Sequence, residues 1–179
     1  MANVRLVSYA PQHRQLVRTW LARDHVRRWW GEPGENLSQI DSWGGEATLI
    51  EADGRPVGMV LWEHPTRREL DDAGLYDVPT TVVDLDIMIG EQDAVGVGVG
   101  TTALKLAVKR ILETYEDAPS VMAGTSVSNA ASIGALSNAG FQIDREFDDP
   151  IGGRFYLFFY DRTRGAPGLP DDRAPENTQ

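Results

Sequence analysis

The feature that most constrains this chain is a run of alternating glycines between a strand pattern and a long amphipathic helix. Gly96, Gly98 and Gly100 occupy every second position of residues 95–101. Residues 82–89 alternate in the manner of a strand, and apolar side chains recur at helical spacing across residues 104–115. Glycine lets the backbone turn sharply and lets a ligand approach the main chain closely. The turn therefore joins a strand to a helix where the backbone is open to a ligand.

The start of a helix leaves its first N–H groups without partners inside the helix. Together with the helix dipole, these groups bind anions without any basic side chain. We therefore predict that a diphosphate binds the residues of the turn, which are Val95, Gly96, Val97, Gly98, Val99, Gly100 and Thr101. A plain tight turn without a ligand is the alternative that the glycines alone leave open.

Two common phosphate-binding motifs do not fit this turn. A dinucleotide site has the spacing G-x-G-x-x-G near the first strand of its domain, whereas this turn lies halfway along the chain with a different spacing. A P-loop has a lysine before its serine or threonine, whereas Gly100 precedes Thr101 here. Both nucleotide-binding classes are therefore rejected.

The remaining segments alternate between strand and helix patterns, which predicts an α/β domain. Further strand patterns occupy residues 4–9, 47–52, 56–62, 121–124 and 154–160. One helix presents Leu16, Val17, Trp20 and Leu21 on a single face, and another is capped by Asn129 and ended by Gly140. We interpret residues 24–34 as a loop or helix end and residues 63–79 as irregular. A single domain of residues 1–165 followed by a disordered tail, residues 166–179, is expected.

Composition limits the chemistry and the partners. The chain has 179 residues and no cysteine, which excludes disulfides, thiolate zinc sites and a cysteine nucleophile. Its three histidines show no metal-ligand spacing, so we expect no metal. A net charge of −10 opposes nucleic-acid binding and favours small cationic ligands. Because no run of about 18 apolar residues occurs, we expect a soluble, cytoplasmic protein with no membrane contact.

Two motifs together resemble the GNAT superfamily of N-acetyltransferases, in which a strand, a glycine-rich turn and a helix hold a diphosphate. Asn129 and Ile133 begin a second helix with the superfamily's Asn-x-x-x-Ile pattern, and residues 139–141 end it with Ala-Gly-Phe. The resemblance implies a GNAT-type α/β fold with a mixed, mostly antiparallel central sheet flanked by helices. It also implies acetyl-coenzyme A as cofactor, coenzyme A as product, and Asn129 and Ser132 as cofactor-site residues.

The amino-terminal part of the chain contains Trp20-Leu21, His25-Val26 and Trp29-Trp30-Gly31. In these residues the chain resembles, within the superfamily, the aminoglycoside 6'-N-acetyltransferases. Asp86 matches an aspartate that lies beside the substrate amine in that family, which implies a catalytic role for Asp86. Two positions depart from the superfamily pattern. Val95 replaces an arginine or glutamine, and Leu136 replaces a tyrosine proposed to protonate the departing thiolate.

Asp84 and Asp86 lie two positions apart on one strand and therefore project from the same face. Paired carboxylates raise each other's pKa, hold a cation and accept its proton. We assign both mainly to binding the substrate ammonium and Asp86 to orienting or deprotonating it. The alternatives are Asp84 as the main base and Asp84 as a surface residue. The resemblance implies that main-chain groups of Met88 and Ile89 pair with the pantetheine amides.

Other side chains are candidates for binding the substrate. Trp29 and Trp30 would form an aromatic wall over a sugar or a cation, with ordinary core packing as the alternative. Four acidic residues would attract a polycationic ligand, and each is otherwise a solvated charge: Glu32, Glu63, Asp148 and Asp149.

These features predict an enzyme that transfers an acetyl group to a primary amine of a small cationic substrate, with the 6'-amino group of an aminoglycoside antibiotic as the expected acceptor. The amine would attack the thioester directly. Alternatives are acylation of a lysine-derived hydroxamate precursor in siderophore synthesis, acetylation of a protein amino terminus, and a non-catalytic acetyl-coenzyme A sensor. An exposed edge at the final strand would permit a homodimer beside the monomer.

Overall fold

A computed structural model describes residues 2–149, 152–165 and 167–168. The tail predicted to be disordered, residues 166–179, lies outside the described residues except for 167–168.

Among the described residues, seven strands form one mixed sheet with the order β1-β2-β3-β4-β5-β7-β6. The strands are β1 Val4–Ser8, β2 Glu46–Ala52, β3 Arg55–Glu63, β4 Val83–Ile89, β5 Ser120–Ser126, β6 Gln142–Asp149 and β7 Gly153–Asp161. Every neighbouring pair is antiparallel except β4 and β5, which are parallel. The predicted mixed, mostly antiparallel sheet flanked by helices is confirmed.

Six α-helices in the described part of the chain flank the sheet: α1 Arg14–Leu21, α2 Asp24–Trp30, α3 Pro33–Asp41, α4 Arg67–Asp72, α5 Val99–Thr114 and α6 Ala130–Ala139. The predicted helices α1, α5 and α6 are confirmed. Asn129 caps α6 by accepting a hydrogen bond from Ser132 N at 3.2 Å, and Gly140 ends it with φ 103°. The glycine is used there because this left-handed conformation strains residues that carry a Cβ atom.

The sequence interpretation was wrong in three regions. Residues 24–34 contain α2 and the start of α3. Gly31, with φ 81°, ends α2, and Pro33 is the first residue of α3. Residues 63–79 contain α4, which begins with a capping box between Thr66 and Glu69. The polar strand β6 was not predicted, and it occupies one edge of the sheet while the final strand β7 lies inside. The prediction that the final strand forms an exposed edge of the sheet is therefore wrong.

The sheet separates two apolar cores. On one face Val83 and Leu85 of β4 pack with α5 and α6, and on the other face Met88 packs with α1 and α3. The strand therefore alternates as predicted, and Asp84 and Asp86 share a face with Met88. The acidic face of β4 is thus turned towards the helices α1 to α3.

Strands β4 and β5 separate from each other along their length. They pair only at Val83 with Val121 and at Asp84 with Met122. Beyond these pairs the two strands diverge, and the residues that follow in each strand line cavities instead of a shared ladder. The opening in the sheet therefore begins next to the acidic residues of β4.

The far end of β4 is anchored to α1. A Cβ atom built on Gly90 would lie 2.1 Å from Cγ of Trp20, whose side chain is fully buried. Trp20 Nε1 donates to Glu91 at 2.9 Å, and Arg23 donates to the Gly90 carbonyl at 2.7 Å. These contacts fix the chain at the point where it leaves the sheet and enters the glycine turn.

Candidate active site

The glycine turn places a row of main-chain N–H groups at the start of α5. Gly96 and Gly98 have φ values of 77° and 89°, and Gly98 occupies the N-cap position without a side-chain cap. The N–H groups of Gly98, Val99, Gly100 and Thr101 form no hydrogen bond with another described residue. Cβ atoms built on Gly96 and Gly98 would meet nothing within 4 Å. The turn therefore offers open space and free donors, as an anion site requires.

A cavity of about 410 Å³ lies against this turn. Its walls come from the end of β4, the start of α6 and the helix α2. The predicted cofactor residues that line it are Met88, Ile89, Val95, Gly96, Gly98, Gly100, Thr101, Asn129 and Ser132. Val97 does not line it and is exposed, and the side chain of Val99 is buried in the core. The turn thus contributes mainly backbone to the cavity.

The register of β3 and β4 shows which main-chain groups of β4 face the opening in the sheet. In an antiparallel pair, hydrogen-bonded and non-hydrogen-bonded positions alternate. Gly90 N donates to Val57 O, and Met88 stands opposite Met59 two positions further along the ladder. The main-chain groups of Met88 are therefore directed to β3, whereas those of Ile87 and Ile89 face the opening. In agreement, Nε2 of His25 lies 3.1 Å from the Ile89 carbonyl oxygen.

A second cavity of about 340 Å³ adjoins the first. Both are lined by Trp29, Trp30, Ile87, Asn129 and Ser132. Asp86 of β4 and Asp149 of β6 line the second cavity only. The two cavities therefore meet in the opening between β4 and β5, with two carboxylates on the side away from the glycine turn.

Asp86 is the most perturbed carboxylate that lines a cavity. Protein atoms surround it on most sides, while its side chain remains exposed to the second cavity. This desolvation, with a contribution from the charge of Asp149, raises the pKa of Asp86 from 3.8 to about 6. No described basic residue forms an ion pair with it. A carboxylate with this pKa is suited both to holding a cation and to accepting a proton near neutral pH.

Asp84 and Glu63 lie behind Asp86 on the same face of the sheet. Glu63 of β3 stands directly opposite Asp84 in the strand register. Burial, and then the charge of Asp86, raises the pKa of Asp84 well above its usual value. Burial also raises the pKa of Glu63, with smaller effects from Glu69 and Asp86. Neither Asp84 nor Glu63 lines the second cavity.

A model of the family described as "Acetyltransferase (GNAT) domain" matches residues 10–149, which is most of the chain. The chain belongs to the GNAT acetyltransferase family. A search among proteins of curated function finds no relative with significant sequence similarity.

Solved structures share the fold of this GNAT domain at low sequence identity. The aminoglycoside acetyltransferase AAC(6')-Ib in complex with coenzyme A and kanamycin is 18% identical, with a TM-score of 0.77 over 90% of this chain and 96% of that one. An aminoglycoside N(6')-acetyltransferase from Legionella pneumophila is 16% identical, with a TM-score of 0.68 over 90% and 93%. An uncharacterised protein from Bacillus halodurans is 15% identical, with a TM-score of 0.76 over 90% and 86%.

The structure of the GNAT domain brings together only some of the predicted substrate residues. Trp29, Trp30, Asp86 and Asp149 line the second cavity. Glu32 is instead paired with Arg27 at 2.8 Å, and Asp148 is paired with Arg154 at 3.0 Å. Both of these carboxylates lie outside the cavity and are bound to arginine.

Several cavity residues of the GNAT domain were missed by the sequence analysis. His25 and Ile87 line the first cavity, and Ile87 also lines the second. The second cavity adds Asn36, Gln39, Trp43, Thr125 and Ser126. Strand alternation could have identified Ile87, because it lies two positions before Ile89. The residues of α3 carried no such signal.

The described residues contain no group of three or more His, Asp or Glu side chains arranged to hold a metal ion. No helix in the described part of the GNAT domain is long and apolar enough to cross a membrane.

Proposed function

We propose that the chain transfers an acetyl group from acetyl-coenzyme A to a primary amine of a small polycationic substrate, with the 6'-amino group of an aminoglycoside as the acceptor. The observation that carries this proposal is the meeting of the two cavities. Ile87 lines both, and the neighbouring Asp86 lines the cavity on the side away from the glycine turn. A donor held at the turn and an amine held at Asp86 would therefore meet in the opening between β4 and β5.

The residues of the first cavity fit acetyl-coenzyme A. The diphosphate would take the free N–H groups at the start of α5, where the space above Gly96 and Gly98 is open. The pantetheine amides would pair with the main-chain groups of Ile87 and Ile89, which face the opening. When bound, acetyl-coenzyme A supplies an acetyl group activated as a thioester.

The chain's own residues then bind and deprotonate the amine. Most primary amines arrive protonated, and an ionised Asp86 attracts the ammonium by about 4 kcal/mol at contact distance, before desolvation costs. Asp86 accepts the proton from nitrogen, which exposes the lone pair that attacks. The N–H of Ile87 faces the opening and would polarise the carbonyl that is attacked.

The lining of the second cavity supports a substrate with separated positive charges and hydroxyl groups. Asp86 and Asp149 provide two carboxylates, and Asn36, Gln39, Thr125 and Ser126 provide neutral polar groups. The indoles of Trp29, Trp30 and Trp43 add aromatic surface, on which sugar rings and cations pack well. An aminoglycoside combines separated positive charges, hydroxyl groups and sugar rings. The overall charge of −10 favours the approach of such a cation.

Thiol release from acetyl-coenzyme A tests the proposal. The purified chain is assayed with kanamycin, with a lysine-derived hydroxamate precursor and with buffer alone. Kanamycin-dependent release is expected, and NMR of the product identifies the acetylated nitrogen. Release with the hydroxamate precursor alone would replace the aminoglycoside assignment with the siderophore alternative. Saturable cofactor binding without release for any amine would support a sensor instead.

A further inference from the structure

A third cavity, of about 430 Å³, lies at the other end of the sheet from the candidate active site. It shares no lining residue with the two cavities described above. Its floor is the part of the sheet where β5 and β6 begin and where β7 ends. The segment between α4 and β4 forms a wall with Asp77, Val78, Pro79 and Val82. The proposed acetyl transfer gives this cavity no role.

The floor of the third cavity contains a buried hydroxyl group, that of Ser120. The side chain is 7% exposed, and its Oγ forms no hydrogen bond with another described residue. The unpartnered polar atoms Tyr9 Oη and Trp43 Nε1 are fully enclosed by protein, whereas Ser120 Oγ opens to the cavity that its residue lines. A buried hydroxyl without a partner costs stability. The hydroxyl of Ser120 therefore does nothing to stabilise the fold.

Asp161 stands directly opposite Ser120 in the register of β5 and β7. The side chains of such a pair leave the sheet on the same face, with their Cβ atoms about 5 Å apart. The carboxylate of Asp161 is exposed to the cavity and forms no hydrogen bond or ion pair with another described residue. Both groups accept hydrogen bonds, so one nitrogen cation can contact Asp161 and Ser120 together.

The other charges of the third cavity also favour a cation. Three carboxylates line it, and among the described residues Arg145 is the one basic side chain that does so. Arg145 is paired with Asp77 at 2.6 Å and with Asp144 at 3.0 Å. Asp161 is therefore left without a positive partner, in a chain whose net charge is −10.

Apolar side chains complete the lining and indicate the kind of cation. Val78 and Val82 are buried, at 4% and 1% exposure, and Phe159 lies two positions before Asp161 on the same face of β7. Pro119 lies beside Ser120. A metal ion or a bare ammonium would leave this apolar surface in contact with water. An amine with an apolar body would cover it, and burial of that body would add to the affinity.

We propose that the third cavity is a binding site for a small primary amine with an aromatic or hydrocarbon body. Its ammonium donates hydrogen bonds to the carboxylate of Asp161 and to Oγ of Ser120. Its apolar body packs against Phe159, Val82 and Pro119. The site is separate from acetyl transfer and does not depend on which amine the chain acetylates.

The probe is 2-phenylethylammonium, titrated into the ¹⁵N-labelled chain without acetyl-coenzyme A and followed by NMR. We expect the amide signals of Ser120 and Asp161 to shift and to saturate. Methylammonium lacks the ring and should bind at least about tenfold more weakly. The neutral analogue 2-phenylethanol keeps the ring and lacks the charge, and it should bind about threefold to fivefold more weakly.

Variants test the two contacts separately. Ser120→Ala should weaken binding about fivefold, as the loss of one hydrogen bond would. It should not lower the Tm of the free protein, because the hydroxyl has no partner there. Asp161→Asn should weaken binding about threefold to fivefold, the range of an exposed charge pair. Asp53→Asn, in the β2–β3 turn, is the matched control, since it removes the same charge far from the cavity and should leave the affinity unchanged.

The outcomes are specific to this cavity. If 2-phenylethylammonium leaves the Ser120 and Asp161 signals in place, or shifts only signals of the candidate active site, the third cavity is not an amine site. Equal affinity in the wild type, Ser120→Ala and Asp161→Asn also overturns the proposal. Equal weakening by Asp53→Asn and Asp161→Asn would show that overall charge attracts the amine. None of these results changes the expectation for thiol release with kanamycin, so the two proposals fail independently.

Discussion

Asp86 of β4 and Asp149 of β6 line the same cavity from opposite arms of the divided sheet. The charge of Asp149 contributes to the raised pKa of Asp86, after the larger effect of desolvation. Strands β5 and β7 lie between β4 and β6 in the sheet order, and the sheet opens between β4 and β5 beyond Asp84 and Met122. The opening that admits the donor therefore also creates the electrostatic environment of the proposed base.

Activity should depend on pH through Asp86. Because its pKa is raised to about 6, the carboxylate becomes protonated as the pH falls through that value and then neither holds the ammonium nor accepts its proton. We expect kcat/KM to decrease about tenfold for each pH unit below this pKa, as for a single essential base. The profile is measured with kanamycin as acceptor. A profile that stays level through this range would remove Asp86 as the base.

Neutralising the same residue should stabilise the fold while reducing turnover. The raised pKa means that the folded state binds more protons than the unfolded chain between pH 3.8 and about 6, so stability decreases as the pH rises through this window. Asp86→Asn removes this pH-dependent decrease in stability. Since the carboxylate is open to solvent, we expect a gain of only about 1 kcal/mol at neutral pH, or about 2–4 °C in Tm.

Denaturation of Asp86→Asn and wild type at several pH values checks this expectation. The difference should disappear at acid pH, where Asp86 is protonated in both states. Asp144→Asn, a surface neutralisation on β6, should show no such pH-dependent gain, because Asp144 is already paired with Arg145 at 3.0 Å. A variant at position 86 that is less stable than the wild type at neutral pH would contradict the argument.

Asp149 should contribute to substrate affinity without contributing to donor affinity. It lines the second cavity, while its Oδ1 also accepts a hydrogen bond from Gly152 N at 2.6 Å. Asp149→Asn keeps an acceptor at this position and removes the charge. We expect KM for a polycationic amine to rise by about tenfold or less, the usual range for a solvent-accessible charge pair. Steady-state kinetics measure this, with Asp144→Asn as the charge-matched control that leaves KM unchanged.

Turn and capping residues close to each element made many of the strands and helices predictable from the sequence. The β2–β3 hairpin follows from Asp53 and Gly54, whose φ values of 52° and 79° suit a tight hairpin turn. The glycine turn and the capped helix α6 have equally local causes. The short helices α2 and α3 are stabilised instead by tertiary contacts, such as Asn36 donating to the Trp30 carbonyl at 2.6 Å. Helix α4 carried a Thr-x-x-Glu capping signal that the sequence interpretation passed over.

The candidate site was only partly predictable because side-chain direction depends on register. In β6 the pairing with β7 shifts between Ile143 and Arg145, which changes the face of every later residue. The sequence therefore offered no means of distinguishing Asp149, which lines the cavity, from Asp148, which pairs with Arg154. Ile87 differs, because strand alternation places it on the same face as Ile89, although the sequence does not show where β4 and β5 separate.

Charge at the start of α5 should control donor affinity. Gly98 has φ 89° and open space beside it, and both aspartate and asparagine tolerate this left-handed conformation better than other residues. Gly98→Asp places a negative charge against the diphosphate, whereas Gly98→Asn adds a side chain of nearly the same shape without charge. We expect the coenzyme A dissociation constant to rise at least about tenfold more in the aspartate variant than in the asparagine variant.

Calorimetric titration with coenzyme A at two salt concentrations checks this comparison. The difference between the two variants should decrease at high salt, because screening weakens the repulsion. Equal dissociation constants for the two variants would show that the diphosphate does not lie at this turn.

Gly90 should be the glycine whose replacement most disturbs the entry into the turn. A Cβ atom there would overlap the ring of Trp20, which is buried and hydrogen-bonded to Glu91. To remove this overlap, α1 or the end of β4 must move. We therefore expect Gly90→Ala to reduce the free energy of unfolding by about 1–3 kcal/mol. Gly34→Ala is the matched control, since Gly34 lies in α3 with nothing within 4 Å of its built Cβ. That change should instead stabilise the protein by about 0.5–1 kcal/mol, because alanine favours the helix. Urea denaturation of both variants measures the two effects, and a Gly90→Ala protein as stable as the wild type would show that Trp20 does not fix the end of β4.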